Sequence, residues 1–393
     1  MTTMEKLLPD YASRCKECGE CLVNCRYLSL SQEEAVRAIR ALNAGEPSIV
    51  HERCISCYAC NAFCPQNAHP YERIISRWNQ RYEEHGLPLR TRIMMPTLRP
   101  NFRQDVHYAP EERVLHAIWA SDTPPGPVVL YPGCNLLTMP GLAAGEIFEK
   151  LPVWGRWDLC CGEMYFRMGL FGPVENIAQR LTDFYRDKDI REIVFLCPAC
   201  HNMFTNVLPK QFGARFSFKT THFVDWITRA LDCGDFAIKN KLQGSVVVHD
   251  SCHARVMGDD FMERQRGLLR RLGLTVRETA QNKAQGLCCG MAAGCTHYSG
   301  ADMLKNSLRQ LWTLDRAAGD DIALYCTGCL LTLSMARLMK PFGKRMAHTL
   351  ELLRQALGEE VPRIHIRRAA AVTGEIARHA LPVYLSRKSF TIE

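Results

Sequence analysis

Apolar residues in this chain fall into two kinds of run. Short, unbroken, mostly β-branched stretches recur beyond residue 127: Val128-Val-Leu-Tyr131, Ile193-Val-Phe-Leu196, Val246-Val-Val-His249 and Ile322-Ala-Leu-Tyr325. Runs of this length without polar alternation read as strands buried on both faces of a parallel sheet. Longer stretches with apolar residues at helical spacing separate them, over 174–186, 261–272 and 301–314. Strand alternating with helix predicts an α/β architecture. The first part of the chain reads differently. Ser31 and Glu34 form an S-x-x-E capping box, and Ala35, Ile39 and Leu42 follow at helical spacing until Gly45 and Pro47 stop the helix. A second helix is expected over 71–84. Pro88, Pro96, Pro100 and Pro110, with basic residues between them, mark 86–112 as a linker. A short helix near 111–120 and the run Thr123-Pro-Pro-Gly-Pro127 close it.

The strand-rich half is an internal repeat. Thr221-His222-Phe-Val-Asp-Trp-Ile227 is echoed by Ala347-His348-Thr-Leu-Glu-Leu-Leu353, and the strand runs recur in the same order. The predicted organisation is a helical module over 1–85, a linker over 86–127, α/β copies over 128–243 and 244–360, and a basic, partly helical tail over 361–393. The fold class expected is mixed α+β and α/β, with the two copies related by a pseudo-two-fold.

Twenty cysteines overlie this frame. Cys15, Cys18, Cys21 and Cys25 read C-x2-C-x2-C-x3-C, and Cys54, Cys57, Cys60 and Cys64 repeat the spacing, followed by Pro65. This is the bacterial ferredoxin spacing, in which three cysteines wrap one cubane and the fourth serves the other. It assigns Cys15, Cys18, Cys21 and Cys64 to one [4Fe–4S] cubane and Cys54, Cys57, Cys60 and Cys25 to a second. Arg26 replaces the proline that commonly follows the fourth cysteine, but that proline is no ligand. The intervening helix marks a helical two-cluster module rather than the compact small ferredoxin. The competing reading is a pair of zinc sites on the same thiolates.

Each α/β copy carries five more cysteines: Cys134, Cys160, Cys161, Cys197 and Cys200, then Cys252, Cys288, Cys289, Cys326 and Cys329. Five are too many for one tetrahedral zinc. Adjacent cysteines point apart, so a site with several metal atoms accommodates both most easily. Gly162 and Gly290 are expected to clear space where the backbone crowds the metal, with Pro198 and Gly328 tightening the C-x-x-C loops. Three alternatives stand beside a polynuclear iron–sulfur site: dithiol redox motifs, vicinal redox disulfides, and zinc on four of the five thiols.

Two CCG motifs behind a helical two-cluster module resemble the heterodisulfide reductase D-type proteins, over nearly the whole span from Cys15 to about Leu353. The architecture also resembles the iron–sulfur subunits of glycolate, lactate and glycerol-3-phosphate dehydrogenases and subunits of benzoyl-CoA reductase complexes. The resemblance implies a noncubane [4Fe–4S] cluster on each set of five cysteines and a reaction site between them, where a disulfide is split or formed. It also implies flavin-containing and iron–sulfur partner subunits, with a thiol, disulfide or CoA-type substrate. A pure electron relay between such partners is the alternative. Only 25 residues separate Cys134 from Cys160, against 35 between Cys252 and Cys288. The longer value is nearer the family pattern, which points to a first site that is more open or shaped for another substrate.

His201 and His253 each follow a ligand candidate and are candidate proton donors to a leaving thiolate; a structural hydrogen bond is the plainer role. His222 and His348, at matching positions, read as architectural. Cys233 and Cys295 fall outside the pattern. The net charge of +8 counts every thiol as neutral, and clusters of about −2 each would cancel much of it. With Lys and Arg scattered, no nucleic-acid partner is expected. No G-x-G-x-x-G flavin motif occurs, so a flavin belongs to a partner. No secretory h-region opens the chain and no stretch of about 18 apolar residues occurs. The expectation is a reducing, anaerobic cytoplasm, with membrane contact only through partners.

Overall fold

The computed structural model describes residues 7–392; the reading of the extreme N-terminus as free of a leader lies partly outside them. The expected capping box forms. Ser31 Oγ accepts from Glu34 N, and Glu34 returns a bond to Ser31 N, opening helix Gln32–Ala44. Gly45 ends it at φ 85°, a left-handed conformation that glycine adopts without strain. This helix and Pro70–His85 pack together over the loops that carry the first eight cysteines.

Two parallel sheets follow. The first contains β2 (Val128–Tyr131), β3 (Glu192–Phe195) and β4 (Lys219–His222), in the order β2-β3-β4. The second contains β5 (Ser245–His249), β6 (Thr275–Arg277), β7 (Asp321–Leu324) and β8 (Arg345–His348), in the order β6-β5-β7-β8. Where the second copy places β6 beside β5, the first has a single bridge, Leu130 to Val153. The ten-residue shortfall between Cys134 and Cys160 falls in this region, and its physical expression is a missing edge strand. The strand runs read from the sequence all form. The more polar β4, β6 and β8 gave no such signal, because they lack the unbroken apolar run.

His222 and His348 cap the helices that follow β4 and β8. Nδ1 of each accepts a backbone N–H two residues on, from Val224 and Leu350, at 3.2 Å. Their matching positions are thus explained by helix capping.

The segment expected as a linker is folded onto the body. It forms a 3₁₀ turn Leu89–Met94 and helices Phe102–Asp105 and Pro110–Trp119, with Met95, Phe102 and Arg103 buried. The basic tail is likewise integrated. Helix His365–Ala380 packs on helix Thr327–Met339, and β9 (Ser389–Phe390) pairs antiparallel with β1 (Leu87–Pro88). Prolines obscured the first segment and charge the second; each buries one face only. Among the described residues no helix is long and apolar enough to cross a membrane.

Candidate metal centre

Strand ends deliver the second set of cysteines. Cys134 and Cys252 lie three residues past β2 and β5, and Cys197 and Cys326 two residues past β3 and β7. Crevices at the carboxyl ends of parallel strands are where such sheets place ligands. Here the two copies face each other. Cys197 Sγ of the first lies 3.9 Å from Cys326 Sγ of the second.

Between the copies is a cavity of about 70 Å³ lined by Cys134, Cys160, Cys161, Cys197 and Cys200 from one side and Cys252, Cys289, Cys326 and Cys329 from the other. Cys288 is not among the lining residues. The sulfurs run in an unbroken series of neighbours from Cys134 through Cys160, Cys161, Cys200, Cys197, Cys326, Cys329, Cys289 and Cys288 to Cys252. Thiol hydrogen bonding with Cys160 and Cys200, the latter at 3.5 Å, brings the Cys161 thiol down to about 6. Cys197 and Cys289 are lowered by the same kind of thiol neighbour. Among the described residues no three His, Cys, Asp or Glu converge tightly enough around one point for a single metal ion. The donors are numerous, soft and strung along an arc, which suits a polynuclear sulfur-bridged group better than one zinc.

The vicinal glycines play a different part from the one expected. Gly162 has φ 77° and Gly290 φ 98°, each at the N-terminus of a short helix. A Cβ on Gly290 would stand 2.7 Å from Met303 O and Ser307 N; one on Gly162 would meet Ile177 Cδ1 at 3.1 Å. The crowding comes from the following helix, not from the metal side.

In the N-terminal module Cys21 has Cys64, Cys15 and Cys18 as charge neighbours, and Cys60 has Cys54, Cys57 and Cys25 among its own. Both runs share one backbone shape. Glu17 and Gly19 in the first, and Ser56 and Tyr58 in the second, have φ of 54°, 78°, 57° and 62°. Three of these four are not glycine, and such strain of about 1–3 kcal/mol per residue clusters at ligand clamps. Backbone N–H groups also reach the sulfurs, Ser56 N to Cys54 Sγ and Ala68 N to Cys64 Sγ, both at 3.4 Å.

The module abuts the second copy. Arg255 Nη1 donates to Cys57 O at 2.6 Å, and Cys288 N donates to Tyr27 Oη at 2.7 Å. Thr296 Oγ1 donates to Cys54 O at 3.1 Å, and His297 Nε2 lies 3.2 Å from the same oxygen. From the first copy, Arg167 Nη1 reaches Ser56 O at 3.3 Å.

The two candidate histidines separate. His253 lines the cavity, with Nε2 2.7 Å from Glu163 Oε1 and 3.0 Å from Arg167 Nη2. Burial would raise Glu163, but Arg167 and His253 outweigh it and hold the carboxyl at about 2. His201 is not among the cavity residues. Its ring packs 5.8 Å from those of Phe195 and His222, Nδ1 is buried without a partner, and burial lowers it to about 4. It is neutral near pH 7 and has no proton to spare there. Cys233 is exposed, whereas Cys295 is buried near Cys289.

Sequence reasoning missed Glu163 and Arg167. Their i,i+4 spacing on a helix directly after Cys161-Gly162 was the available signal; Met291 and Cys295 hold the matching places in the second copy. Arg103 and Arg255 carried no signal at all.

Residues 128–205 and 246–334 each match the model of the CCG cysteine-rich domain. Over 152 residues the chain is 24% identical to the probable iron-sulfur-binding oxidoreductase FadF of Bacillus subtilis (strain 168), a match covering 38% of this chain. The chain spans about a fifth of that relative's length, 21%. Two stretches of this chain thus match the CCG cysteine-rich domain, and over part of its length the chain is similar to an iron–sulfur-binding oxidoreductase.

Proposed function

We propose that this chain is an iron–sulfur electron-transfer oxidoreductase of the heterodisulfide reductase D type, acting as one subunit of a larger complex. Cys15, Cys18, Cys21 and Cys64 would hold one cubane, and Cys25, Cys54, Cys57 and Cys60 the other. The five cysteines of each CCG copy would hold a noncubane [4Fe–4S] cluster, the copies being related by a pseudo-two-fold. Bound clusters supply one-electron chemistry; the chain positions them and shields them from water.

The observation that carries the reading is the cavity closed by cysteines of both copies, with Cys197 and Cys326 sulfurs 3.9 Å apart. Two sulfur-rich walls that meet across one space suit a substrate handled by both at once, which is what making or breaking a disulfide requires. His253 Nε2 stands at the cavity wall between Glu163 Oε1 and Arg167 Nη2, where it would relay a proton. The Cys25, Cys54, Cys57 and Cys60 set touches the second copy through Arg255, Tyr27 and Thr296 and the first copy through Ser56 and Arg167, so electrons from a flavin or iron–sulfur partner would enter the CCG half across this interface.

The discriminating experiment is EPR on anaerobically reconstituted protein, oxidised with and without a small thiol. A thiol-dependent paramagnetic signal, lost in Cys197→Ser and Cys326→Ser, supports disulfide chemistry. Signals indifferent to thiol would leave a pure relay.

A further inference from the structure

A cation is buried where the N-terminal module meets the second copy. Arg255 stands three residues after Cys252, on helix Ala254–Met257. That helix packs against helix Ala59–Phe63 of the module and against the turn Lys283–Gln285 ahead of Cys288. Arg255 is 7% exposed. Its Nη1 donates to Cys57 O at 2.6 Å and its Nη2 is bonded to Gly286 O, so one guanidinium clamps a cysteine-bearing loop on each side of the junction. Nε has no partner, and no carboxylate pairs with Arg255 among the described residues. In the first copy Leu137 holds the matching place, three residues after Cys134.

The charge neighbours of Arg255 are Cys57 and Tyr27 of the module and Cys288 and Cys252 of the second copy. Cys57 also stands among the charge neighbours of Cys288, and Tyr27 Oη accepts the Cys288 N–H at 2.7 Å. Two candidate cluster sites thus meet at one unpaired guanidinium. Arg167, which also reaches both the module and Cys252, differs in carrying Glu163 as an ion-pair partner. A guanidinium cannot shed its charge, and burying it is costly unless an anion faces it. The anions available to Arg255 are the thiolates of two separate sets. The potential of an iron–sulfur cluster follows its net charge, the hydrogen bonds to its sulfurs and its exposure. A fixed buried cation acts on such a group through a low dielectric with little screening by salt.

We propose that Arg255 is the shared counter-charge of two clusters and raises both midpoint potentials together. One is the cluster on Cys25, Cys54, Cys57 and Cys60, the other the cluster on Cys252, Cys288, Cys289, Cys326 and Cys329. This rests on the reading that both sets hold iron–sulfur clusters, and it does not require disulfide chemistry. The cation favours the more negative, reduced form on either side of the junction, so it raises donor and acceptor alike and keeps the step between them level. One electron crossing the junction oxidises the module's cluster and reduces the second copy's, and Arg255 faces the added charge before and after the move. In the module its neighbours Cys57 and Tyr27 sit with the Cys25, Cys54, Cys57 and Cys60 set. The other cubane keeps its midpoint, and reduction of the module through it keeps its rate. Arg255 is a positioning residue, acting through charge on groups it does not ligate.

The test is a potentiometric EPR titration of the full chain, anaerobically reconstituted, with Cys18→Ser, Cys60→Ser, Cys161→Ser and Cys289→Ser used to assign each signal to its set. Arg255→Gln should lower the midpoints of the signals assigned by Cys60→Ser and Cys289→Ser, and leave the other two in place. Arg255→Lys keeps the charge and loses the double clamp, so it should hold both midpoints near wild type. Arg255→Met, neutral and of similar length, serves if Arg255→Gln loses its fold. Three results overturn the inference alone: neither midpoint moves in the neutral variant, only one of the two falls, or Arg255→Lys lowers them as far as Arg255→Gln does. The last would mark Arg255 as a structural clamp. A wild-type chain with iron only in the N-terminal module overturns the cluster reading, and this inference with it.

Discussion

Gly290 and Gly162 occupy the same place in the two CCG motifs, yet alanine should be far less tolerable at the first. Both hold left-handed backbone, at φ 98° and 77°, which costs an L residue about 1–2 kcal/mol. The surroundings differ. The new methyl at Gly290 meets Met303 O and Ser307 N at 2.7 Å, backbone atoms of helix Gly300–Arg316 that cannot rotate away. Relief requires the helix to shift, an overpacking cost of about 1–3 kcal/mol. At Gly162 the contact is the flexible end of Ile177, at 3.1 Å, which a small rotation relieves. Gly290→Ala should therefore lose about 2–5 kcal/mol and Gly162→Ala about 1–2. With about 2–4 °C per kcal/mol for a unit of 150–250 residues, the two melting temperatures should differ by several degrees. The assay is thermal loss of visible absorption with iron retention measured in parallel. Equal losses would refute the claim that the following helix, rather than the metal side, dictates glycine.

Other consequences are sharper in sign than in size. Arg266 is buried between Asp250, at 2.8 and 2.9 Å, and Glu278, at 2.6 and 2.9 Å, and Asp250 also accepts from Tyr325 Oη at 2.7 Å. Arg266→Met strands that carboxylate beside the ends of β5 and β7, and should cost about 3–5 kcal/mol in the denaturant unfolding midpoint. Burial raises the half-buried Glu72 to about 7 from an unfolded value near 4.5. The folded state keeps a proton that the unfolded chain releases, so this group's stability contribution falls as pH rises from 4.5 through 7 and is flat above. Glu72→Gln should melt higher than wild type at pH 8 and level with it at pH 4.5; the reverse order would refute the burial argument. Arg255→Met removes the donor to Cys57 O. In stopped-flow reduction it should slow electron arrival at the CCG half while leaving reduction of the N-terminal module unchanged.

Legibility followed burial and periodicity. Strands β2, β3, β5 and β7 were visible because both faces are covered, and helix Gln32–Ala44 because its capping box and terminal glycine are local. The cysteine sets were legible from spacing alone. What the spacing does not encode is how the copies face each other, which brings Cys197 to Cys326 across 129 residues of chain. The charged groups around the cavity were hidden for the same reason. Arg103 lies in a proline-rich stretch that reads as a tether, and only the tertiary fold turns it toward Cys134. His201 and His253 look equivalent in sequence, each after a cysteine. They differ because His253 opens a short helix at the copy interface, while His201 lies within one, against Phe195 and His222.

The account stands on four clusters per chain. Iron and acid-labile sulfide analysis of the anaerobically reconstituted protein, with zinc measured on the same sample, tests this most directly. Four [4Fe–4S] clusters predict about sixteen irons and about sixteen sulfides per chain, with negligible zinc. About eight irons, with zinc bound at the CCG half, would contradict the account and reduce the ten facing cysteines to scaffolding.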